Sequence, residues 1–419
     1  MKQVLADIIT IGDEILYGQI VDTNSQWISE RLDEIGVRVK RKYSISDTAE
    51  DIKQAMDESL NRADIILLTG GLGPTKDDLT KHTLSEYFQM PLELNTSALL
   101  DVEEIFKKYN KELTDLNRGQ AYLPKGCVKI TNDRGTAPGM WFNYKGKVVV
   151  SMPGVPFEMK AMVERSVIPK IKEKFRLPVI HHKVIRTIGI GESWLSEMIA
   201  DWEDALPHFL SLAYLPRKGQ VRLRLTGIGE DKYGLELEME KQVKKVLPII
   251  QKYVFGFGDM EIEDAIGETL KSKGLTIGTA ESCSGGFLAH KITSVAGSSE
   301  YYRGSIVSYH NDIKKDILGI KPKTLEAYGA VSEETATEMA LNAQKKLGVD
   351  IAVATTGIAG PGGGSEEKPV GTVWLGLAYG KKVFTHKLNL VGTRQLNIEA
   401  TATHALDFVR LVLSGDTHK

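Results

Sequence analysis

Much that would fix the class of this chain by inspection is missing from it. Only two cysteines, Cys127 and Cys283, occur among its 419 residues. They lie too far apart in sequence to suggest a disulfide framework or a zinc cluster, which suits a reducing cytoplasm. No apolar run approaches the length that a membrane-spanning helix needs. The opening segment MKQVLADIITIGDE lacks the charged n-region and cleavage site of a signal peptide, so a cytoplasmic protein is expected. A formal net charge of -2 argues against a broad electrostatic grip on nucleic acid. Long internal repeats and low-complexity tracts are also absent.

What remains is the composition of a soluble globular protein, 42% apolar and 26% charged, with enough apolar residues for real cores. The length exceeds one ordinary core and predicts two or three domains. In the first 170 residues, strand-like runs (VLADIITIG, VRVKRKYSI, ADIILLTGG) alternate with helix-like ones. The helical runs are NSQWISERLDEIG, closed by Gly36, and DTAEDIKQAMDESLNRA. In the second, Asp47 followed three residues on by Glu50 predicts a capping box. This βαβαβ rhythm implies a parallel sheet with helices on both faces, and sites beyond the carboxyl ends of the strands. From 171 to 258 the order becomes β-α-β-β-α, a small α+β connector of KH-type topology. The GXXG loop with which such modules clamp RNA is not evident, so nucleic acid is not expected as a partner. From 259 to 419 the α/β rhythm resumes. The expected architecture is two α/β sandwich domains joined by the connector.

TGGLGPTKDDLTKH, residues 69–82, follows a buried strand-like run. Gly70, Gly71 and Gly73 let the backbone approach a ligand, and a helix predicted to begin near Lys76 would offer its N-terminus to a phosphate. The GK[ST] of a Walker A loop is missing. Asp77 and Asp78 would repel a phosphate unless a divalent cation bridged carboxylate and phosphate oxygens. Alternatively both acids merely favour a helix N-terminus, about 0.3–1 kcal/mol each. Spacing alone leaves both readings open.

IGDEIL at 11–16, GGLGPTKDDLT at 70–80, and NDRGTAPGM with SMPGVPFEM within 132–159 resemble the molybdopterin-binding-type domain. More narrowly, they resemble the version that opens the CinA family (competence/damage-inducible protein A). The resemblance implies binding of a nucleotide or pterin phosphate. In CinA relatives it implies a metal-dependent pyrophosphatase that cleaves ADP-ribose to AMP and ribose 5-phosphate. Carried over by position, Asp78 and Thr80 match the aspartate and threonine of GGxGxxxxDxT, and Asp13 and Glu14 sit in the matching first loop. Asp47 falls where molybdopterin-handling relatives carry a second functional aspartate, a reading that stands beside its role as a cap. Glu14, Asp47, Asp77 and Asp78 are thus the expected ligands of a divalent metal (Mg2+, Mn2+ or Co2+). Gly70, Gly71, Gly73 and Thr80 are the expected substrate contacts. Which acid ligates and which acts as base stays open.

In the last domain, AESCSGG at 280–286 separates a strand-like run from a helix-like one. It reads as a phosphate cradle, a nucleophile on a turn or only a tight loop. TTGIAGPGGGSEEKPVGTVW, at 355–374, offers Gly357, Gly360, Gly362, Gly363 and Gly364 to bring N–H groups around an anion. Serines are available as nucleophiles, but no His–Asp pair is evident, and His290 and His310 read as packing or surface residues. A lysine can replace histidine as base if its pKa is lowered. Lys314 and Lys315 alone read as a solvated pair.

AESCSGG, SYHNDIK, TTGIAGP and GGSEEKPVGTVW together resemble the CinA C-terminal domain over essentially its whole length. That resemblance implies a deamidase converting nicotinamide mononucleotide to nicotinate mononucleotide and ammonia, with no metal. Under it Ser282 is the nucleophile and Lys314 the base. Tyr309 relays the proton or holds Lys314, and Thr356 positions the network. Amides around Gly285, Gly286 and Gly357 form the oxyanion hole. Ser284 and Gly360 contact the substrate, and Arg394 pairs with its phosphate. Glu281 is expected to be structural, since a carboxylate beside Lys314 would oppose its use as a base. Taken over the whole chain, the resemblance implies a bifunctional hydrolase of pyridine-nucleotide recycling that acts on small nucleotides, away from membranes; the large apolar share and the connector permit a dimer, and a homodimer is expected. The rival reading is a pterin- or nucleotide-binding recruitment protein in competence or the DNA-damage response, with no catalysis of its own.

Overall fold

The apolar run Ile65–Thr69 is buried throughout, as a central strand covered on both faces requires. Its alternate side chains diverge: Ile65 and Leu67 join one core, Ile66 and Leu68 the other. The computed structural model describes residues 3–75, 78–217 and 219–416. The chain forms two compact units, one of residues up to 181 with 227–236, the other of residues 182–226 with those from 237 onward.

The first unit contains strands β1 (Leu5–Ile11), β2 (Arg38–Ile45), β3 (Ile65–Thr69), β4 (Leu92–Leu94), β5 (Tyr122–Pro124), β6 (Val128–Ile130), β7 (Gly139–Tyr144) and β8 (Lys147–Met152). Six of them form one sheet in the order β2-β1-β3-β8-β7-β6, and β4 pairs with β5 separately. The sheet is parallel across β2, β1, β3 and β8, and β7 pairs antiparallel with both β8 and β6, so β7 alone runs against the others. The expectation of a parallel sheet thus holds for the β2-β1-β3-β8 pairings and is broken by β7. The cause is local. Lys145 and Gly146, at φ 49° and 80°, make a two-residue hairpin between β7 and β8, which can join only antiparallel strands.

Two helix starts differ from expectation. The helix Ala49–Arg62 is capped by Thr48, whose hydroxyl accepts the Asp51 N–H at 3.2 Å, so Asp47 stands outside it. The helix after the glycine loop runs Thr80–Tyr87. It does not begin near Lys76, which with Asp77 lies outside the described residues.

The connector follows the expected β-α-β-β-α order: β9 (Val179–Ile188), a helix Glu192–Asp204, β10 (Leu210–Arg217), β11 (Gln220–Gly229) and a helix Lys232–Ile250. An unanticipated strand, β12 (Val254–Phe257), completes a sheet ordered β10-β11-β9-β12. The last domain has β13 (Ile277–Glu281), β14 (Tyr302–Val307), β15 (Ile351–Gly357), β16 (Thr372–Tyr379) and β17 (Lys382–Asn389), ordered β14-β13-β15-β16-β17. β13 is parallel to both of its neighbours, and β16 and β17 close the sheet antiparallel. β17 and the 21-residue helix Arg394–Ser414 go beyond the elements anticipated from sequence. Among the described residues no helix is long and apolar enough to cross a membrane.

Candidate active-site clefts

In the last domain the ends of three adjacent parallel strands supply one cleft. Ser282 follows β13, Ser308 follows β14, and Thr356 and Gly357 end β15. The chain beyond β14 turns back through Lys314, which is 1% exposed. Lys314 Nζ lies 2.9 Å from Ser282 Oγ, 2.8 Å from the Ser308 carbonyl and 3.4 Å from the Tyr309 carbonyl. Burial lowers its pKa from the ordinary lysine value, and no carboxylate is among these partners. Ser282, Lys314, Tyr309, Thr356, Gly357, Gly360 and Arg394 all line a cavity of about 270 Å³.

Around this pair the arrangement differs from expectation in several respects. The Tyr309 phenol turns away from Lys314 and meets Arg394 Nη2 at 2.5 Å, so it is the Tyr309 carbonyl that faces the lysine. Arg394 also donates to the Gly360 carbonyl at 2.8 Å and begins the helix Arg394–Ser414, whose first amides favour an anion. The Thr356 hydroxyl donates to the Ala330 carbonyl at 2.5 Å. Ser284, expected to touch substrate, is buried and turned inward: it donates to Glu281 Oε2 at 2.8 Å and lies 2.6 Å from the Thr355 hydroxyl. Gly285 and Gly286, expected as oxyanion donors, have their N–H groups engaged. Gly285 donates to the Ser282 carbonyl at 3.1 Å and Gly286 to Glu281 Oε2 at 2.9 Å. Of the three expected donors, only Gly357 lines the cleft. Cys283 also lines it, but burial pushes its thiol up to about 12, away from the thiolate a nucleophile needs.

In the first domain a cavity of about 500 Å³ lies beyond β1, β3 and β8. Glu14, Asp47, Gly70, Gly71, Gly73 and Asp78 line it, with Glu158 and Gly154 on the side of β8. Gly70 has φ 121°, and a β-carbon on it would lie 2.1 Å from the Ile11 carbonyl oxygen, so only glycine fits this close crossing. Thr80 does not face the cavity. It ties the loop from behind, its hydroxyl donating to the Gly70 carbonyl at 3.1 Å and its N–H to the Gly71 carbonyl at 3.2 Å. Asp78 Oδ2 accepts from the Thr75 N–H at 2.9 Å and the Thr75 hydroxyl at 2.5 Å. Asp47 accepts the Asp13 N–H at 3.4 Å, and burial, with repulsion from Glu14, Asp13 and Asp78, raises its pKa. Glu158 was not foreseen, although it lies in the quoted SMPGVPFEM stretch. The buried Asn132 holds it through Nδ2 at 2.6 Å. Nothing in its spacing marks it, because its partner is 26 residues away.

Among the described residues no three His, Cys, Asp or Glu side chains converge as a metal cluster. The cleft's donor set is nonetheless hard carboxylate oxygen, with neither Cys nor His. It fits Mg2+, which is bound through one or two carboxylates with waters and substrate phosphate supplying the rest.

Two α/β domains, each with a cleft at the carboxyl ends of its parallel strands, therefore flank a KH-type module. Comparison with known proteins narrows this class. Residues 7–173 match the family described as "Probable molybdopterin binding domain", 182–256 the "Damage-inducible protein CinA KH domain" and 259–413 the "CinA C-terminal domain". A CinA-like protein of Cytophaga hutchinsonii is 52% identical over 407 residues, 97% of each chain. One of Flavobacterium psychrophilum is 46% identical over 96% of this chain and 97% of its own. The solved structure of competence/damage inducible protein CihA from Agrobacterium tumefaciens is 41% identical, covers 36% of this chain and 93% of its own, and has a TM-score of 0.36. The chain belongs to the CinA family.

Proposed function

We propose that the C-terminal domain hydrolyses the carboxamide of nicotinamide mononucleotide, and that the N-terminal domain cleaves the pyrophosphate of ADP-ribose with a divalent cation. The observation that carries the first activity is the buried Ser282–Lys314 pair, 2.9 Å apart. Two carbonyls, of Ser308 and Tyr309, take two N–H groups of the lysine. In the neutral amine, the direction left over is a lone pair aimed at the Ser282 hydroxyl. Burial makes that neutral form accessible. Ser282 Oγ attacks the amide carbon while Lys314 takes its proton. Lys314 returns the proton to the departing nitrogen, ammonia leaves, and an acyl-serine remains. Water then adds to that ester, again giving its proton to Lys314, which restores Ser282 and releases the carboxylate. Arg394, the first amides of its helix and the glycine loop support a phosphate-bearing substrate.

In the N-terminal cleft, Asp47, Asp78 and Glu14 would hold the cation, which when bound neutralises pyrophosphate oxygens and activates water. Gly70, Gly71 and Gly73 let the backbone come close to the phosphates. Asp77 remains a candidate ligand outside the described residues. The recruitment reading draws support from the molybdopterin-binding description of the first domain and from the names of the relatives. Against it stands the cost of burying an amine without a counter-ion, which a docking surface has no need to bear.

The test is to incubate the full chain with nicotinamide mononucleotide and EDTA and follow ammonia, with Ser282→Ala as control. The wild type should release ammonia, and the variant at least about 1,000-fold more slowly. No ammonia from either would turn the reading to recruitment.

A further inference from the structure

Glu281 is fully buried one residue before Ser282, and the steps above make no use of its carboxylate. Oε2 accepts from the Ser284 hydroxyl at 2.8 Å and from the N–H groups of Gly286 and Leu288 at 2.9 and 3.0 Å. Oε1 accepts from the Ala289 N–H at 2.8 Å, with the Ser305 and Thr279 hydroxyls at 3.4 and 3.5 Å. All six partners are neutral. A buried charge without a cation is costly even when hydrogen-bonded, and an ordinary serine or aspartate cap would close a helix start more cheaply. The helix Phe287–Thr293 has no such side-chain cap at Gly286.

The backbone shows what the carboxylate achieves. The Ser282 N–H donates to the Thr355 carbonyl at 2.9 Å, and the Ser282 carbonyl accepts the Gly285 N–H at 3.1 Å. The turn is therefore fixed to β15 at its start and to the Glu281 carboxylate at its end. The same residue's carbonyl accepts the Ser308 N–H at 2.8 Å, and the Ser308 carbonyl holds Lys314 Nζ at 2.8 Å. Both halves of the pair are thus set in register through Glu281, the serine by its side chain and the lysine by its main chain. We infer that Glu281 is a positioning residue for the Ser282–Lys314 pair. Its carboxylate holds the turn that aims Ser282 Oγ at Lys314. The inference rests on the amidase reading above.

Labelling of Ser282 by a fluorophosphonate, followed by mass spectrometry on the full chain, reads the serine's reactivity without depending on the substrate. Glu281→Gln keeps the size but turns a carboxamide nitrogen toward backbone donors. It should fold, by circular dichroism, and label about 100-fold more slowly, the loss expected of a reacting atom displaced by about 1 Å. With nicotinamide mononucleotide its kcat should fall while KM changes less than about twofold, a split that general loosening of the cleft would not give. Glu281→Asp, which keeps the charge on a shorter arm, should recover part of the rate. Labelling of Glu281→Gln at the wild-type rate would overturn the inference and leave the amidase reading intact. If that variant does not fold, Ser284→Ala removes one donor and keeps the carboxylate; it should label about tenfold more slowly, and a wild-type rate would overturn the inference. A wild type that neither labels nor releases ammonia would overturn the amidase reading and this inference together.

Discussion

Lys314 carries two opposing demands, and their balance is measurable. Its lowered pKa means that folding disfavours the ammonium. The unfolded chain binds the proton more tightly, so this cost is fully present below the folded-state pKa. It is relieved as pH rises toward the ordinary lysine value of about 10.4. Lys314→Met should therefore abolish ammonia release yet melt at a higher temperature than wild type near neutrality. The gap should narrow as the buffer approaches pH ~10. For activity the sign follows from the same group: kcat/KM rises with pH through the lowered lysine pKa, because the neutral amine is the base. At this scale the candidate site was partly legible. Ser282 and Lys314 came from motif resemblance, since 32 residues separate them in sequence and no periodicity joins them. Besides Tyr309, whose phenol accepts from Arg394, the assignments that changed were those of Ser284, Gly285, Gly286 and Thr80. In each, the sequence displayed a suitable donor but not the acceptor it had already found within the fold.

At the scale of elements, alternation and turn chemistry carried most of the architecture, and the differences lie at boundaries. Asp47 and Thr48 can each cap a helix, and a one-residue choice between them is below what spacing resolves. The structure uses the threonine for the cap and leaves the aspartate to the cleft. Thr48→Ala should accordingly cost about 1 kcal/mol, read as a lower melting temperature. Asp47→Asn should act in the opposite direction. Burial and neighbouring acids raise the Asp47 pKa, so the folded protein gains a proton-linked penalty as pH rises above the ordinary aspartate range. Removing the charge should raise the melting temperature at neutral pH, with the difference vanishing below about pH 4. The antiparallel turn of β7 is hidden in YKGK, residues 144–147, because its two central residues, Lys145 and Gly146, lack the Asn-Gly or Asp-Gly signature of such hairpins. Lys145 there holds a positive φ that lysine seldom adopts.

At the scale of the whole molecule, each cleft is built from one unit's residues, Ile11 to Glu158 for the first and Ser282 to Arg394 for the second. The two sets of groups also differ in kind. The first offers carboxylates that repel one another, and the second a serine and a lysine whose amine has a hydroxyl and two carbonyls, and no carboxylate, as its hydrogen-bond partners. The activities should therefore separate by treatment rather than fail together. EDTA should stop AMP release from ADP-ribose and leave ammonia release from nicotinamide mononucleotide within about twofold of its starting rate, and Ser282→Ala should do the reverse. Added Mg2+ at about 100 times its Kd should stabilise the first domain by about 2.7 kcal/mol, and Asp47→Asn should remove most of that gain. If chelation stopped both activities, the serine–lysine mechanism would be wrong for the C-terminal domain. If it stopped neither, the acids around Gly73 would be serving the loop, as Asp78 already does toward Thr75, and not a metal.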